Sequence, residues 1–532
     1  METFVFSSRA KAVTGGLAVF GFVLLVISFF VDGGEGHHMR FWTNLLHNAV
    51  FFTGIAAIAG FAYCAFTTAY AGWFVQFKRV WESFYMFLLP GLFLLGPLMV
   101  GLFTHGHHIY HWNDEAAVAH DAILTHKSSF LNKYWYVFGT VGFIAIWYFM
   151  LGRIRSISVD EDVNGTAAYT HHARIKKYAA PFLVIFGFTS AALIWQWIMS
   201  IDSHWYSTMF AWYASASLFV AMTALTIMLL IYLKSRGYYP GITAEHFHDL
   251  GKYLFAISIF WTYLWFSQFM LIWYGNVGEE TIYFRERMDN YPVMFWANLG
   301  INFLLPFFVL MRNDTKRKAG TLFFAAAFVF FGHWLDYFQM IKPGARLTLI
   351  EMEAHGAHHG DEEHATMGHD DHGDHGDDHG LVSEGGTHDA DHDAGDDEAI
   401  DVHPEAVDNN IPNAANMNRG DNGEDVMGQE LATDGNNSGY DSSEPDAYIQ
   451  EQHADDHDMQ GHLESAGGHE EYGITHPAHE FKSGYTIPGL LEIGIFLGFL
   501  GGFLFFVLST LAKAPLEPKR DPYLEESIHH HT

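Results

Sequence analysis

His333 and Asp336 stand three residues apart in the run Phe331-Gly-His-Trp-Leu-Asp-Tyr-Phe-Gln339. Side chains at that spacing share one face of a helix and can touch. The residues around them are apolar over a stretch long enough to cross a bilayer, where an ionisable group costs about 2.5–3.5 kcal/mol at mid-helix. A carboxylate beside an imidazole in such a place can take and pass protons. The same pair can also be a hydrogen bond that ties helices together. Counted from Gly320 at 1.5 Å per residue, His333 lies roughly 20 Å along its helix.

A second group of proton-active residues lies in the tightest loop of the chain, Ser200-Ile-Asp202-Ser-His204-Trp-Tyr-Ser207-Thr208. The loop contains no Lys or Arg to neutralise Asp202. Asp202 or Ser203 could cap the helix that follows, but capping leaves His204 unexplained, flanked as it is by Trp195, Trp197 and Trp205. The preceding connection on the same side adds His105, His107, His108, His111 and His120, and His47 opens another apolar run there. Taken singly these are ordinary interfacial residues. Together with Asp202, His204, His333 and Asp336 they concentrate proton exchange at one membrane face. Toward the other face, Glu82 opens the third apolar run, and His246, His248 and Asp249 precede the seventh. Gln268, Asn298 and Asn302 fall inside apolar runs, where amides hold water or bond neighbouring helices.

The elements that must position these residues are transmembrane helices. About 20 residues at 1.5 Å each cross a hydrocarbon layer of ~30 Å, and ten such runs occur, at roughly 12–31, 47–71, 84–103, 134–152, 179–200, 208–232, 252–274, 293–311, 320–341 and 486–511. The expected fold is an all-α polytopic membrane protein, with a membrane domain over 1–345 completed by a tenth span and tail over 485–532. A soluble globular enzyme is excluded. The first run follows Arg9 and Lys11 but lacks a small-residue cleavage site, so it reads as a retained helix rather than a signal peptide. Of the 28 Lys and Arg residues, 19 lie at the N-terminus, in the even-numbered connections and in the C-terminal tail. The positive-inside rule then puts both termini in the cytoplasm.

Between the ninth and tenth runs, residues 346–484 form a different material. Residues 351–480 hold 36 of the 60 acidic residues, 17 of the 35 histidines and one basic residue, Arg419. Such a segment cannot bury enough apolar surface to offset the entropy of ordering, so a disordered periplasmic insert is expected. Its His/Asp tracts can hold Zn²⁺, Cu²⁺ or Ni²⁺ weakly. The chain's one cysteine, Cys64, excludes an internal disulfide, a four-cysteine iron–sulfur site and covalent haem c. If the chain takes part in redox chemistry, partners or a diffusible molecule carry most of the electrons; the cysteine count leaves non-covalent haem b held by two histidines open.

Several long motifs resemble a known family. Ser200-Ile-Asp-Ser-His-Trp-Tyr-Ser-Thr-Met-Phe-Ala-Trp-Tyr213 is similar to the signature loop of the two large membrane subunits of alternative complex III. Ile257-Ser-Ile-Phe-Trp-Thr-Tyr-Leu-Trp-Phe-Ser-Gln-Phe-Met-Leu-Ile-Trp-Tyr274 with Glu279-Glu280, His333-Trp-Leu-Asp-Tyr-Phe-Gln-Met-Ile-Lys-Pro343, Lys513-Ala-Pro-Leu and Pro522-Tyr-Leu-Glu-Glu-Ser527 resemble the second of these two, its second quinone-binding-type subunit. The resemblance implies an NrfD-like fold, two four-helix bundles with extra helices, in a bacterial inner-membrane quinol:cytochrome c (or other periplasmic acceptor) oxidoreductase. It implies haem c and iron–sulfur clusters in partner subunits (a multihaem cytochrome and an iron–sulfur protein), a homologous large membrane partner, no covalently bound cofactor in this chain, and quinone or quinol as a ligand it could meet. Asp202, His204, His333 and Asp336 are then the candidate proton-handling group. Two other classes compete: a metal-ion transporter buffered by the His-rich insert, and a scaffold subunit without chemistry of its own.

Overall fold

A computed structural model describes residues 4–31, 38–165, 169–366, 484 and 486–530. Ten helices or broken helices are long and apolar enough to span a membrane, as expected from the ten apolar runs. They are α1 (Ser8–Val31), α2 (Met39–Thr68), α3 (Val75–Thr104), α4 (Lys133–Asn164), α5 (Thr170–Trp197), α6 (Thr208–Ser235), α7 (Ala244–Gly275), then, after a short helix α8 (Gly278–Asp289), α9 (Pro292–Leu310), α10 (Ala319–Thr366) and α11 (Leu490–Leu511). The chain is an all-α, multi-pass membrane protein.

The helices close into two rings of four. Helix α2 packs on α3, α3 on α4, α4 on α5, and α5 back on α2. In the second ring α6 packs on α7, α7 on α9, α9 on α10, and α10 on α6. Helices α2 and α6 are the most enclosed of the ten spans, because α2 also touches α6 and α10 of the other ring. Helices α1 and α11 form a separate pair against α2. They approach so closely at Gly21 and Gly498 that a Cβ on either would run into the other's Cα, the small-residue packing that holds helices together where lipid gives no hydrophobic drive.

Two interruptions shape the second ring. Helix α9 carries a π turn over Gly300–Leu304, next to Pro306. Proline has no N–H to give, so the ladder there must loosen. Helix α10 contains Pro343, which likewise leaves the Gln339 carbonyl four residues earlier without its usual helical donor.

Three boundaries differ from the sequence expectation. Helix α2 starts at Met39, so His47 is two turns inside it and fully buried. The third span starts at Val75, so Lys78, Arg79 and Glu82 lie in buried helix rather than in a connection. Their charges compensate one another, which a hydropathy reading does not credit. Helix α10 continues to Thr366, into the segment assigned to the insert; Leu, Met, Ala and Glu are good helix formers and carry the helix on. The remainder of the insert, including its expected disorder, lies outside the described residues.

Candidate proton-handling site

Three helices of the second ring aim polar side chains at Asp336 on the fourth. From α6, the Tyr213 hydroxyl donates to Asp336 Oδ1. From α7, Trp261 Nε1 donates to Oδ2 at 2.9 Å. From α9, Asn298 Nδ2 donates to Oδ1 at 2.7 Å. Asp336 itself sits on α10 and is completely buried. Three donors from three other helices compensate much of the solvation a carboxylate loses on burial.

His333, one turn back on α10, is also completely buried. Its Nδ1 lies 3.9 Å from Asp336 Oδ2 and 2.9 Å from Ser217 Oγ on α6. Its Nε2 is buried with no hydrogen-bond partner among the described residues. The expected helix-face pairing of His333 and Asp336 is therefore present, though at a distance too long for a direct hydrogen bond. Asn298 extends the cluster: its Oδ1 accepts from Asn302 Nδ2 at 2.6 Å, and its Nδ2 also reaches Gln339 Oε1 at 3.3 Å. Asn298 and Asn302 thus join the Asp336 cluster.

On the Asp202 side of this cluster lies a cavity of about 10 Å³, bounded in part by Tyr213, Gln268, Arg287 and Gln339. That is room for about one water and not for an aromatic ring. Its walls are mostly apolar, but Gln268 and Gln339, whose Nε2 atoms are buried without partners among the described residues, are among the lining residues. A carboxylate and an imidazole are groups that can exchange protons, and buried amides can orient water or bond neighbouring helices.

Arg287 of α8 lines the cavity. Its Nη2 meets Asp202 Oδ2 at 2.9 Å, with both side chains nearly buried. Its Nη1 donates to the Tyr283 carbonyl at 2.8 Å, and its Nε to the Gln339 carbonyl, the one freed by Pro343, at 3.2 Å. The guanidinium also lies 3.4 Å from the Tyr283 ring centroid, and Tyr283 stacks on Trp205 at 3.9 Å. So the missing cation of the 200–207 loop arrives from a helix some eighty residues later. Ser207, not Asp202 or Ser203, occupies the cap position of α6. Gly344 makes the close approach possible, since a Cβ there would meet Asp202 Oδ1 at 2.9 Å. Replacing Arg287 with Met strands a buried carboxylate and should cost about 3–5 kcal/mol; thermal unfolding of the purified chain measures it. Adding Asp202→Asn should recover part of that loss.

His204 stands apart from this group. Its side chain is 40 % exposed and pairs with Asp121 in the connection between α3 and α4. Burial alone would raise the Asp121 carboxyl, but hydrogen bonds from His204 and from the Leu124 and Ile123 N–H groups outweigh it and hold the carboxyl below its ordinary value. Lys127 in the same connection donates to the Ser203 and His204 carbonyls, each at 2.8 Å. The four residues grouped by sequence therefore fall into three places: a buried His333–Asp336 cluster, the Asp202–Arg287 pair beside it, and a surface pair containing His204.

Of the other histidines on this side, His105 and His120 are exposed and His107 is buried. Burial pushes the His107 imidazole down to about 4, although its hydrogen bond to the Leu98 carbonyl favours the charged form. A depressed value means that folding favours the neutral ring. Its stabilising contribution is complete above the ordinary histidine value of about 6.5 and declines as pH falls from there toward 4. Unfolding temperature should fall over that interval, and less steeply in His107→Gln.

A second buried charge cluster has only Glu82 as its mark in the apolar pattern. Arg79 donates to Glu82 Oε2 and Asp162 Oδ2, both at 2.6 Å, and to the Ser158 carbonyl at 2.9 Å. Ser158 Oγ donates to Glu82 Oε1 at 2.6 Å. Lys78 pairs with Asp521, and lies 3.4 Å from Glu161. The Lys519 N–H caps the other Asp162 oxygen at 3.0 Å. This cluster joins α3 and α4 to the tail after α11, at the end of the bundle where both termini lie. The Lys78–Arg79–x–x–Glu82 spacing carries half of it; Asp162 and Asp521 give no local signal. On the Asp202 side, Arg40 and Glu492 form a further bidentate pair, at 2.7 and 3.0 Å.

Among the described residues no group of three His, Cys, Asp or Glu side chains is placed to hold a metal ion. No family model matches the chain, and no curated protein matches it.

Proposed function

We propose that this chain is an integral membrane subunit of a respiratory quinol:cytochrome c, or other periplasmic acceptor, oxidoreductase of the alternative complex III type, and that the Asp336–His333 cluster serves its proton transfer. In this reading it resides in the bacterial inner membrane with both termini cytoplasmic and the insert periplasmic. The observation that carries the proton role is Asp336 buried among donors from three other helices, with His333 at 3.9 Å and a one-water cavity beside Tyr213 and Gln339. Oxidising a quinol releases two electrons and two protons. The electrons would pass to haem c and iron–sulfur clusters in partner subunits, which accords with a single cysteine here. The cavity beside Asp336 has room for about one water and not for a quinone ring, which favours proton transfer over quinol binding at this position.

A scaffold role has one observation of its own: the Asp336 hydrogen bonds knit all four helices of the second ring. The transporter reading draws no support from the described residues. Purification from native membranes in mild detergent, with haem staining and mass spectrometry of what accompanies the chain, tests the assignment. A multihaem cytochrome, an iron–sulfur protein and a second ten-span subunit are expected. Isolation of the chain alone with bound Zn²⁺ or Ni²⁺ would overturn it in favour of the transporter.

A further inference from the structure

The membrane-facing surface at the terminal end of the bundle carries a groove between α3, α4 and α11, of about 320 Å³. Leu89, Phe93 and Phe506 give it an apolar wall, and Phe93 and Leu89 are exposed. Arg155 and Lys513 also line it, and no acidic residue does. Both cations sit just past the end of an apolar run, Arg155 after the stretch ending at Leu151 and Lys513 after the one ending at Leu511. Basic residues just beyond an apolar run on a membrane-spanning helix are placed to meet lipid headgroups.

Arg155 is only partly satisfied. Its Nη2 donates to the Thr510 carbonyl at 3.2 Å, while its Nη1 has no hydrogen-bond partner among the described residues. The acid whose field reaches it, Glu82, is already held by Arg79 and Ser158. Lys513 is exposed. Two like charges sharing one groove raise each other's energy, and an anion between them removes that cost. Basic residues between transmembrane helices on the face rich in Lys and Arg hold anionic headgroups in this way.

The geometry points to a binding site for one anionic glycerophospholipid, its phosphodiester between Arg155 and Lys513 and its acyl chain along Leu89, Phe93 and Phe506. The site is separate from the proton-handling cluster and stands or falls independently of the proposed complex. The apolar wall is what distinguishes a lipid from a free phosphate: an inorganic anion would have no use for it.

The test uses the full chain reconstituted in bilayers of equal phosphatidylglycerol and phosphatidylcholine, released into mild detergent and weighed by native mass spectrometry. The wild type should retain one phosphatidylglycerol at least tenfold in preference to phosphatidylcholine. Arg155→Gln with Lys513→Gln should abolish the preference. Because Arg155 also holds the Thr510 carbonyl, Lys513→Glu, at an exposed position, provides the variant that leaves packing untouched, and it should cut the preference severalfold. Equal retention of the two lipids by the wild type, or an unchanged preference in both variants, would overturn the site. So would displacement of the lipid by millimolar inorganic phosphate, or a quinone retained in its place.

Discussion

Asp336→Leu is expected to destabilise the second helix ring by roughly 2–5 kcal/mol, because it leaves the Tyr213 hydroxyl, Trp261 Nε1 and Asn298 Nδ2 without their acceptor. A single interhelical hydrogen bond in a membrane contributes about 0.6 kcal/mol on average. The larger figure arises because three donors converge on one buried residue, and only Asn298 Nδ2 has a second protein acceptor, Gln339 Oε1 at 3.3 Å. Thermal unfolding of the detergent-solubilised protein reads it. Asp336→Asn separates structure from chemistry. It keeps the shape and one acceptor oxygen for Tyr213 and Asn298, but sets an N–H₂ against the Trp261 N–H. The cost should stay near 1–3 kcal/mol, so the variant should still assemble. It cannot bind and release a proton, and quinol-driven turnover should fall at least tenfold. Unchanged turnover in an intact assembly would leave Asp336 as a helix tie alone.

The other large effect is expected at the terminal end. Arg79→Met would leave Glu82 and Asp162, each 2.6 Å from the guanidinium, as buried carboxylates without their shared cation. Breaking a buried pair by removing one partner costs about 3–5 kcal/mol, and here two partners are stranded at once. The Lys519 N–H and Ser158 Oγ would still bond those acids, but neither carries charge. The variant should be recovered in low yield or unfold many degrees earlier. Arg79→Lys tests the geometry rather than the charge. An ammonium is a point donor and cannot bridge Glu82, Asp162 and the Ser158 carbonyl with a planar fork. An intermediate loss of stability is expected, whereas a loss as severe as that of Arg79→Met would mean that charge contributes little there.

The architecture is legible in the sequence wherever burial against lipid governs. Long apolar runs mark every span, and their number matches the ten helices because nothing else in the chain competes with that signal. The His333–Asp336 pair is legible for a related reason: spacing along one helix fixes which side chains share a face. Contacts between distant segments are not. Arg287 neutralises Asp202 from eighty-five residues away, and Asp521 pairs with Lys78 across more than four hundred. No periodicity encodes such partners. Charges that compensate one another also disguise helix, which is why hydropathy starts the third span past Lys78, Arg79 and Glu82. Proximity in sequence groups His204 with Asp202, yet two residues of turn point them at different neighbours, Asp121 and Arg287.

Redox-induced infrared difference spectroscopy of the purified assembly tests directly whether Asp336 handles protons. Adding quinol should produce a carboxyl C=O difference band in the wild type that is missing in Asp336→Asn and shifted in His333→Gln, whose side chain no longer shares the proton. Identical difference spectra in the wild type and Asp336→Asn would contradict a proton-handling role and leave the buried carboxylate as a structural knot.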